Sequence, residues 1–450
     1  MTRDLERTSE LVAQAPKQSE DIRSRWSWTE PSVWTDRMLT ALEAGVKGDK
    51  WFSLIDKVWR MENLKASWAK VESNGGSAGV DNISLSRFEQ QLEQELTLLS
   101  QRLQAGSYQP HAVKRVYIPK SGGGQRPLGI PAICDRVVQG ALRQVIEPIF
   151  EKTFSPCSYG FRPGRGCKDA LREVDRLLKV KHDYVVEVDI QGYFDNIPHR
   201  PLMEQVKERI SDSRILTLIE QFLQQPVMDE GQQAHPVSGT PQGGLISPLL
   251  ANIYLNPLDH LLTRQGYSVI RYADDMVVLC QEAQTAHRVM ESIGDWMRQA
   301  GLDLHPEKTR VVDMRQEGAW FDFLGYRFKQ NRRSGKIDRW PRPKSVAKLK
   351  ERLRPYTRRS NGHSLHQIIT RIGPVLKGWY EYFKHARPGA FQSVDGWVRM
   401  RLRSMLRKRA GRCGRGRGLD NQRWPNIFFA EQGLFSLETA HVLECQSVYR

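Results

Sequence analysis

Arg271-Tyr272-Ala273-Asp274-Asp275 lies between Val269-Ile270 on one side and Met276-Val277-Val278-Leu279 on the other. Two short apolar runs around a polar pair read as strand, tight turn, strand. Adjacent carboxylates between apolar flanks are costly unless something positive binds them, and a divalent cation suits the hard oxygens of aspartate. A second acidic strand end lies upstream, where Tyr184-Val185-Val186-Glu187-Val188-Asp189-Ile190 is followed by Tyr193-Phe194-Asp195. Side by side, these strands bring Asp189 and Asp274 to one pair of magnesium ions, which would hold the attacking and leaving oxygens of an in-line displacement. An Asp-Asp turn on its own is an ordinary turn, because aspartate favours turn positions. The second acidic strand is what shifts the reading toward chemistry.

The 450 residues carry 68 Lys+Arg against 51 Asp+Glu, a formal charge of +17. That excess points to a polyanionic partner, nucleic acid before anionic membrane. A hydrophobic content of 39% with 12 Trp supports real cores, and the length suits about two to four domains. Met1-Thr2-Arg3-Asp4-Leu5-Glu6 has no apolar signal core, and no run approaches the roughly 18 apolar residues of a membrane span. No membrane partner is expected. Cys134, Cys157, Cys167, Cys280, Cys413 and Cys445 form no C-x-x-C and read as reduced thiols. Cys413 and Cys445 with His441 lack the four-ligand spacing of a zinc site.

Residues 1–50 read as a polar extension containing Trp26, Trp28 and Trp34. Apolar periodicity predicts helices over 51–72, 86–104, 133–151, 167–180, 201–224 and 284–300. His111 to Pro119 alternates like a strand, Lys120 to Arg126 forms a basic, Gly-rich hairpin tip, and Pro127 to Pro131 returns. Such a tip cradles phosphate when its backbone approaches closely and Lys and Arg supply charge. Ser158 to Gly166 is a second basic loop, and Gly239 to Pro248 a turn opening a helix through Leu262. Two further strands surround His305 to Thr309 and Phe323 to Tyr326. From Lys329 to Arg359, 13 Lys/Arg face two acids, Asp338 and Glu351, which places a domain boundary near Lys329. Helices over 344–354, 364–385 and 390–409 follow. From Arg399 to Arg423 ten Lys/Arg face Asp420 alone. Basic faces broken by Trp379, Tyr380, Tyr382, Phe383, Trp397 and Trp424 suit phosphate contact together with base stacking. Arg412 to Gly418 is a Gly/Arg segment expected to order on RNA.

In this order the elements resemble a bacterial group II intron-encoded protein, a reverse transcriptase with a maturase domain, over about residues 51–440. Asn74 to Asp81 is similar to its N-terminal extension motif, Ile118 to Pro131 to its fingers hairpin, and Ser158 to Gly166 to its Ser-x-Gly-Phe-Arg-Pro-Gly loop. Asp189 to Asp195 and Tyr272 to Asp275 resemble its two catalytic motifs. Thr240-Pro241-Gln242-Gly243-Gly244 with Ser247-Pro248 resembles the motif preceding the catalytic hairpin. Leu376 to Phe383 looks like the thumb signature, and Trp424-Pro425-Asn426, Phe428-Phe429 and Gly433-Leu434 resemble family C-termini. These proteins often continue into a DNA-binding segment and an H-N-H endonuclease with cysteine pairs. This chain stops at Arg450 without such pairs, so it resembles the endonuclease-lacking subset, for which nascent replication-fork strands are the expected primers.

The resemblance implies an α+β fold. Right-hand polymerase fingers and palm, with an antiparallel palm sheet, precede an α-helical thumb/maturase domain and a basic C-terminal segment. The implied domains are 1–50, 51–328, 329–410 and 411–450. It implies two Mg²⁺ ions bridged by Asp189 and Asp274, with Asp275 as a third carboxylate and the Ile190 carbonyl as a further ligand. Lys120 and Arg126 would clamp the triphosphate, Phe194 would exclude the ribose 2′-OH, Gln242 would contact the incoming nucleotide, and Lys308 would approach the triphosphate. Arg162, Arg165, Lys377, Trp379, Arg399, Arg403 and Arg407 are the expected RNA contacts. The implied partners are the group II intron RNA, an RNA template with DNA primer, target DNA and dNTPs, in a bacterial cytoplasm or nucleoid. Two alternatives stay open. One is a domesticated reverse transcriptase serving repair or phage defence. The other is a splicing cofactor without polymerase activity, against which the intact Asp189, Asp274 and Asp275 argue.

Overall fold

The computed structural model describes residues 22–119, 124–229, 231–241, 243–414 and 418–448. The chain folds as two compact units. One comprises residues up to Val180, Val188–Cys280 and Gln284–Arg310, and the other Lys181–Glu187, Gln281–Ala283 and Val311–Arg450.

In the first unit, the helix Ile133–Glu151 is almost wholly buried, as its continuous apolar run predicts. Its neighbours meet it through polar bonds as well as packing. Asn63 and Ser67 of the helix Met61–Asn74 donate to the Ala141 and Val137 carbonyls. Trp34, with no exposed surface, donates its indole N–H to the Gln144 carbonyl at 3.0 Å. Val33, Trp34, Leu39 and Leu42 are thereby part of the core. Strands β1 (Val113–Pro119) and β2 (Gln125–Ile130) form the expected antiparallel hairpin, with Ile118 opposite Arg126. The return strand begins at Gln125, two residues earlier than the Pro127 start expected from sequence.

The expected helix over 201–224 is two helices, His199–Lys207 and Ser213–Leu223. The break is made by Asp212. Its carboxylate caps the second helix through Arg214 N and Ile215 N, and also accepts from the amides of Leu54 and Ile55 at 2.7 and 2.9 Å. After it, β4 (Val227–Asp229) pairs in parallel with β1, and β5 (Gln232–Ala234) pairs antiparallel with β4, giving the sheet order β2-β1-β4-β5. Neither short strand has an apolar alternation to announce it.

Strands β3 (Tyr184–Asp189), β6 (Ser268–Tyr272), β7 (Asp275–Cys280) and β8 (Arg310–Asp313) form a sheet of order β6-β7-β3-β8. β6 and β7 are antiparallel and pair Tyr272 with Asp275 across the turn. The acidic hairpin and the second acidic strand thus belong to one sheet, as expected.

In the second unit, β9 (Trp320–Phe323), β10 (Tyr326–Gln330) and β11 (Ile337–Pro341) form an antiparallel sheet of order β11-β10-β9. The charge shift at Lys329 falls inside β10, and the compact unit begins at Val311. Composition records where cations gather, whereas packing places this sheet with the helices that follow. Tyr326 donates to the Tyr382 carbonyl and Tyr382 to the Leu324 carbonyl, tying the β9–β10 turn to the helix Leu365–Phe383. The helix Pro388–Arg409 carries Asp395, which caps the helix Leu437–Val448 through Leu437 N and Glu438 N. Helices Leu419–Arg423 and Asn426–Glu431 lie between them in sequence. The Gly/Arg segment lies partly outside the described residues, at 415–417. No helix among the described residues is long and apolar enough to cross a membrane.

Candidate active site

The chemistry gathers at the end of β3 and the β6–β7 turn. Asp274 and Ala273 make the turn, and Ala273 adopts φ 59°, a left-handed conformation rare for a residue with a Cβ. A buried network holds that backbone. Arg271, fully buried in β6, forks onto Asp259 of the helix Ser247–Arg264 with Nε–Oδ1 at 2.8 Å and Nη2–Oδ2 at 2.6 Å. Its Nη1 donates to the Ala273 carbonyl and to Asn252 Oδ1, both at 2.9 Å, and its Nη2 to Ser158 Oγ at 2.9 Å. Burial works against the Arg271 charge, but the Asp259 carboxylate more than offsets it and holds the guanidinium above its usual value. Asn252 in turn donates to the Gly160 carbonyl.

The Ser158–Gly166 loop is part of this support. Tyr159 N donates to the Arg271 carbonyl at 2.8 Å and Arg271 N to the Cys157 carbonyl at 2.9 Å, while Ser158 bridges Arg271 in parallel. A Cβ on Gly160 would strike the Ala273 and Tyr272 backbone, so only glycine lets the loop lie against the β6–β7 turn.

On the β3 side, the Asp189 carbonyl accepts from His305 N at 2.8 Å, and Gln191 N donates to the Asp303 carbonyl. Lys308 reaches Asp189 Oδ2 at 3.2 Å. The Ile190 carbonyl takes no hydrogen bond from a described residue. Asp274 lies at an exposed position, yet its carboxyl is held above the usual carboxylate range. Crowding that strips water is the largest cause, the Asp189 charge adds to it, and the turn backbone, Arg126 and Arg271 oppose it. Two carboxylates close enough to repel, next to a carbonyl without a donor, form a hard-oxygen set that suits a divalent cation.

Residues 118–328 match the model for reverse transcriptase (RNA-dependent DNA polymerase), and residues 346–424 the group II intron maturase-specific domain. Protein YkfC of Escherichia coli K12 is 34% identical over 347 residues, covering 68% of this chain and 86% of YkfC. The chain belongs to the group II intron-encoded reverse transcriptase/maturase family. The group II intron-encoded protein LtrA of Lactococcus lactis is 42% identical over 226 residues, 50% of this chain and 37% of LtrA, so the chain spans little more than a third of that relative. A chain of a solved partial Cas6-RT-Cas1--Cas2 complex is 26% identical, with 55% of this chain and 42% of that chain covered and a TM-score of 0.36. The molecule is thus an RNA-directed DNA polymerase with a maturase domain. RNA is its partner class, and divalent metal ions are what its polymerase family uses.

This reverse transcriptase brings only some of the expected residues together. Asp189, Ile190, Asp274, Asp275 and Lys308 lie at the strand ends. Arg126 of β2 is exposed, and its charge is felt at Asp274. Phe194 is half-buried, its ring 5.6 Å from that of Tyr193, whose hydroxyl donates to the Ala251 carbonyl. Lys120 and Gln242 lie outside the described residues. Next to the latter, Gly243 at φ 118° packs so closely on the Gly129 carbonyl that a Cβ would collide with it, which lays this loop against the fingers hairpin.

Among the expected RNA contacts, two are turned into the protein. Arg162 is 7% exposed, holds Glu151 by a bidentate fork and donates to the Ser155 and Ser158 carbonyls, so it staples its own loop. Arg403, also 7% exposed, donates to the Trp424 carbonyl and Asn426. Arg407 pairs with buried Asp420, and Arg399 lies mostly covered beside Asp395. Arg165 is half-buried, donating to the Pro156 carbonyl, and Lys377 is exposed above the Phe435 ring. Trp379 is half-buried against Phe383.

Sequence reasoning missed Asp259, Asn252 and Ser158. Asn252 and Asp259 stand two turns apart on an otherwise apolar helix, a polar pair on a core face that has to find a buried partner. A separate His111–Cys134–Asp135 group lies close enough to share an ion. Both Asp135 oxygens are already taken, by the Tyr108 hydroxyl, the His111 amide and Gln225, so buried Asp135 reads as a polar anchor.

Proposed function

We propose that this protein binds a group II intron RNA, assists its splicing and copies it into DNA during retrohoming by two-metal nucleotidyl transfer, using dNTPs, a DNA primer and target DNA. The observation that carries the polymerase part is the placement of Asp189 at the end of β3 and Asp274 in the β6–β7 turn of the same sheet, within the family-matched segment. Two Mg²⁺ ions held by Asp189, Asp274 and the Ile190 carbonyl, with Asp275 adjacent, would activate the primer 3′-OH and neutralise the leaving pyrophosphate.

The residues of the chain do the rest. Arg126, and Lys120 six residues before it, hold the triphosphate from the fingers hairpin, where a guanidinium fork suits phosphate oxygens. Lys308 and Gln242 contact the nucleotide from the palm side. The Phe194 ring occupies the space a ribose 2′-OH would need. The Arg271 network fixes the Ala273 carbonyl and with it the direction of the Asp274 carboxylate, so the site needs little reorganisation when substrate arrives.

RNA contact falls to the exposed cations of the second unit. Lys344, Lys348, Arg352, Arg358 and Arg359 are exposed and meet no carboxylate among the described residues. Lys377 and Trp379 extend this surface. The decisive experiment is primer extension on an RNA template with Mg²⁺ and dNTPs, wild type beside Asp274→Asn. Extension by wild type alone is expected, and extension by both at equal rates would remove the two-metal assignment.

A further inference from the structure

The helices Pro343–Leu353 and Leu365–Phe383 and the β9–β10 turn enclose a cleft of about 650 Å³, within the size range of small-ligand sites. One wall is aromatic. Trp379, Tyr382 and Phe383 line it, the Trp379 and Phe383 ring centroids lie 4.7 Å apart, and the Tyr382 hydroxyl is fixed on the Leu324 carbonyl at 2.7 Å. Lys348 and Arg352, one helical turn apart, stand at the other wall, exposed and without a carboxylate partner among the described residues.

Two further details point to a ligand. The Trp379 ring is half-buried and held against Phe383, which fixes it as a flat wall for a stacking partner. Gly378 also lines the cleft, and a Cβ there would meet nothing within 4 Å. Glycine in a helix interior is unfavourable relative to alanine, and here no neighbour demands it. Its effect is to keep the cleft open. A cleft of similar size in the first unit differs in this respect. There Lys152 is spent on the Leu42 and Glu43 carbonyls, and Arg209 on Asp49.

We propose that the thumb cleft takes one unpaired nucleotide of bound RNA, its base against the Trp379–Tyr382 wall and its flanking phosphates on Lys348 and Arg352. Flat rings beside paired cations match a nucleotide's π-face and its phosphates together. A base within a duplex stays stacked on its neighbours and does not enter. This proposal rests on the RNA-binding reading above and names what one part of that surface recognises.

The test uses the full chain with two fluorescent RNAs, an unstructured single strand and a duplex of the same length, and follows anisotropy across a salt series. Gly378→Leu fills the cleft, raises helix propensity and removes no charge. It is expected to weaken single-strand binding about tenfold, in keeping with the loss of one stacked base, while leaving duplex affinity and the salt slope unchanged. The double variant Lys348→Ala/Arg352→Ala, made at exposed positions, is expected to flatten the single-strand salt slope by about 1.4, the share of two phosphate contacts. Wild-type single-strand affinity in Gly378→Leu, with wild type still binding both RNAs, overturns the cleft alone. An unchanged slope in the double variant does the same. A wild type that binds neither RNA overturns the cleft and the wider RNA reading together.

Discussion

The Arg271 guanidinium and the Asp259 carboxylate form a bidentate ion pair with no exposed surface on either side chain. The same guanidinium holds the carbonyl of Ala273, the residue before Asp274.

Removing one partner leaves a buried, uncompensated charge. Asp259→Ala is therefore expected to lower unfolding free energy by about 3–5 kcal/mol, measured by urea or guanidinium denaturation. The apolar double variant Asp259→Leu/Arg271→Met should recover much of that loss, because neither charge remains. Extension activity should stay low in the double variant, since the Ala273 carbonyl has lost its donor. Full activity there would show that the pair serves stability alone.

Asp274→Asn should lower primer extension at least about a hundredfold, the scale of losing a fixed charge at a reacting centre. Its effect on stability runs the other way. The folded-state carboxyl is raised, so the native fold binds the proton more tightly than the unfolded chain. Stability therefore falls as pH rises from the usual aspartate value of 3.8 through the raised value, and the penalty persists above it. Without divalent metal, the variant should be at least as stable as wild type at pH 7, with the gap closing in acid. A less stable variant at pH 7 would contradict the raised carboxyl of Asp274.

Phe194→Ala should raise the ratio of ribonucleotide to deoxynucleotide kcat/KM by roughly 10- to 200-fold, the range for a lost steric contact in a shaped pocket. Identical discrimination would assign the ring to packing.

Exposed and buried cations should separate by experiment. Lys377→Ala is expected to weaken RNA binding uniformly and reduce the salt slope by about one phosphate's share. Arg162→Ala and Arg403→Ala should lower the melting temperature and leave the slope in place, because both guanidiniums bind protein carbonyls and side chains.

That contrast also marks how far the sequence could be read. The acidic turn, the β1–β2 hairpin and the helix Ile133–Glu151 were legible because period and turn chemistry are local. Buried arginines were not. Arg162, Arg271 and Arg403 stand among basic or aromatic neighbours that suggest solvent or RNA, and only tertiary structure supplies Glu151, Asp259 and the Trp424 carbonyl. The break between the two helices at Asp212 was hidden for the same reason. Of the catalytic site, the carboxylates were readable and their supports were not, since a support is defined by what it touches.

Asp212 accepts from the amides of Leu54 and Ile55, the first of them 158 positions earlier. On the ribosome, Leu54 and Ile55 emerge long before their acceptor exists. At about 5–20 residues per second they wait roughly ten to thirty seconds, apolar and unanchored. This stretch of the first unit thus stays without its acceptor until residue 212 is made, and a chaperone that shields nascent apolar segments would be most needed over that interval.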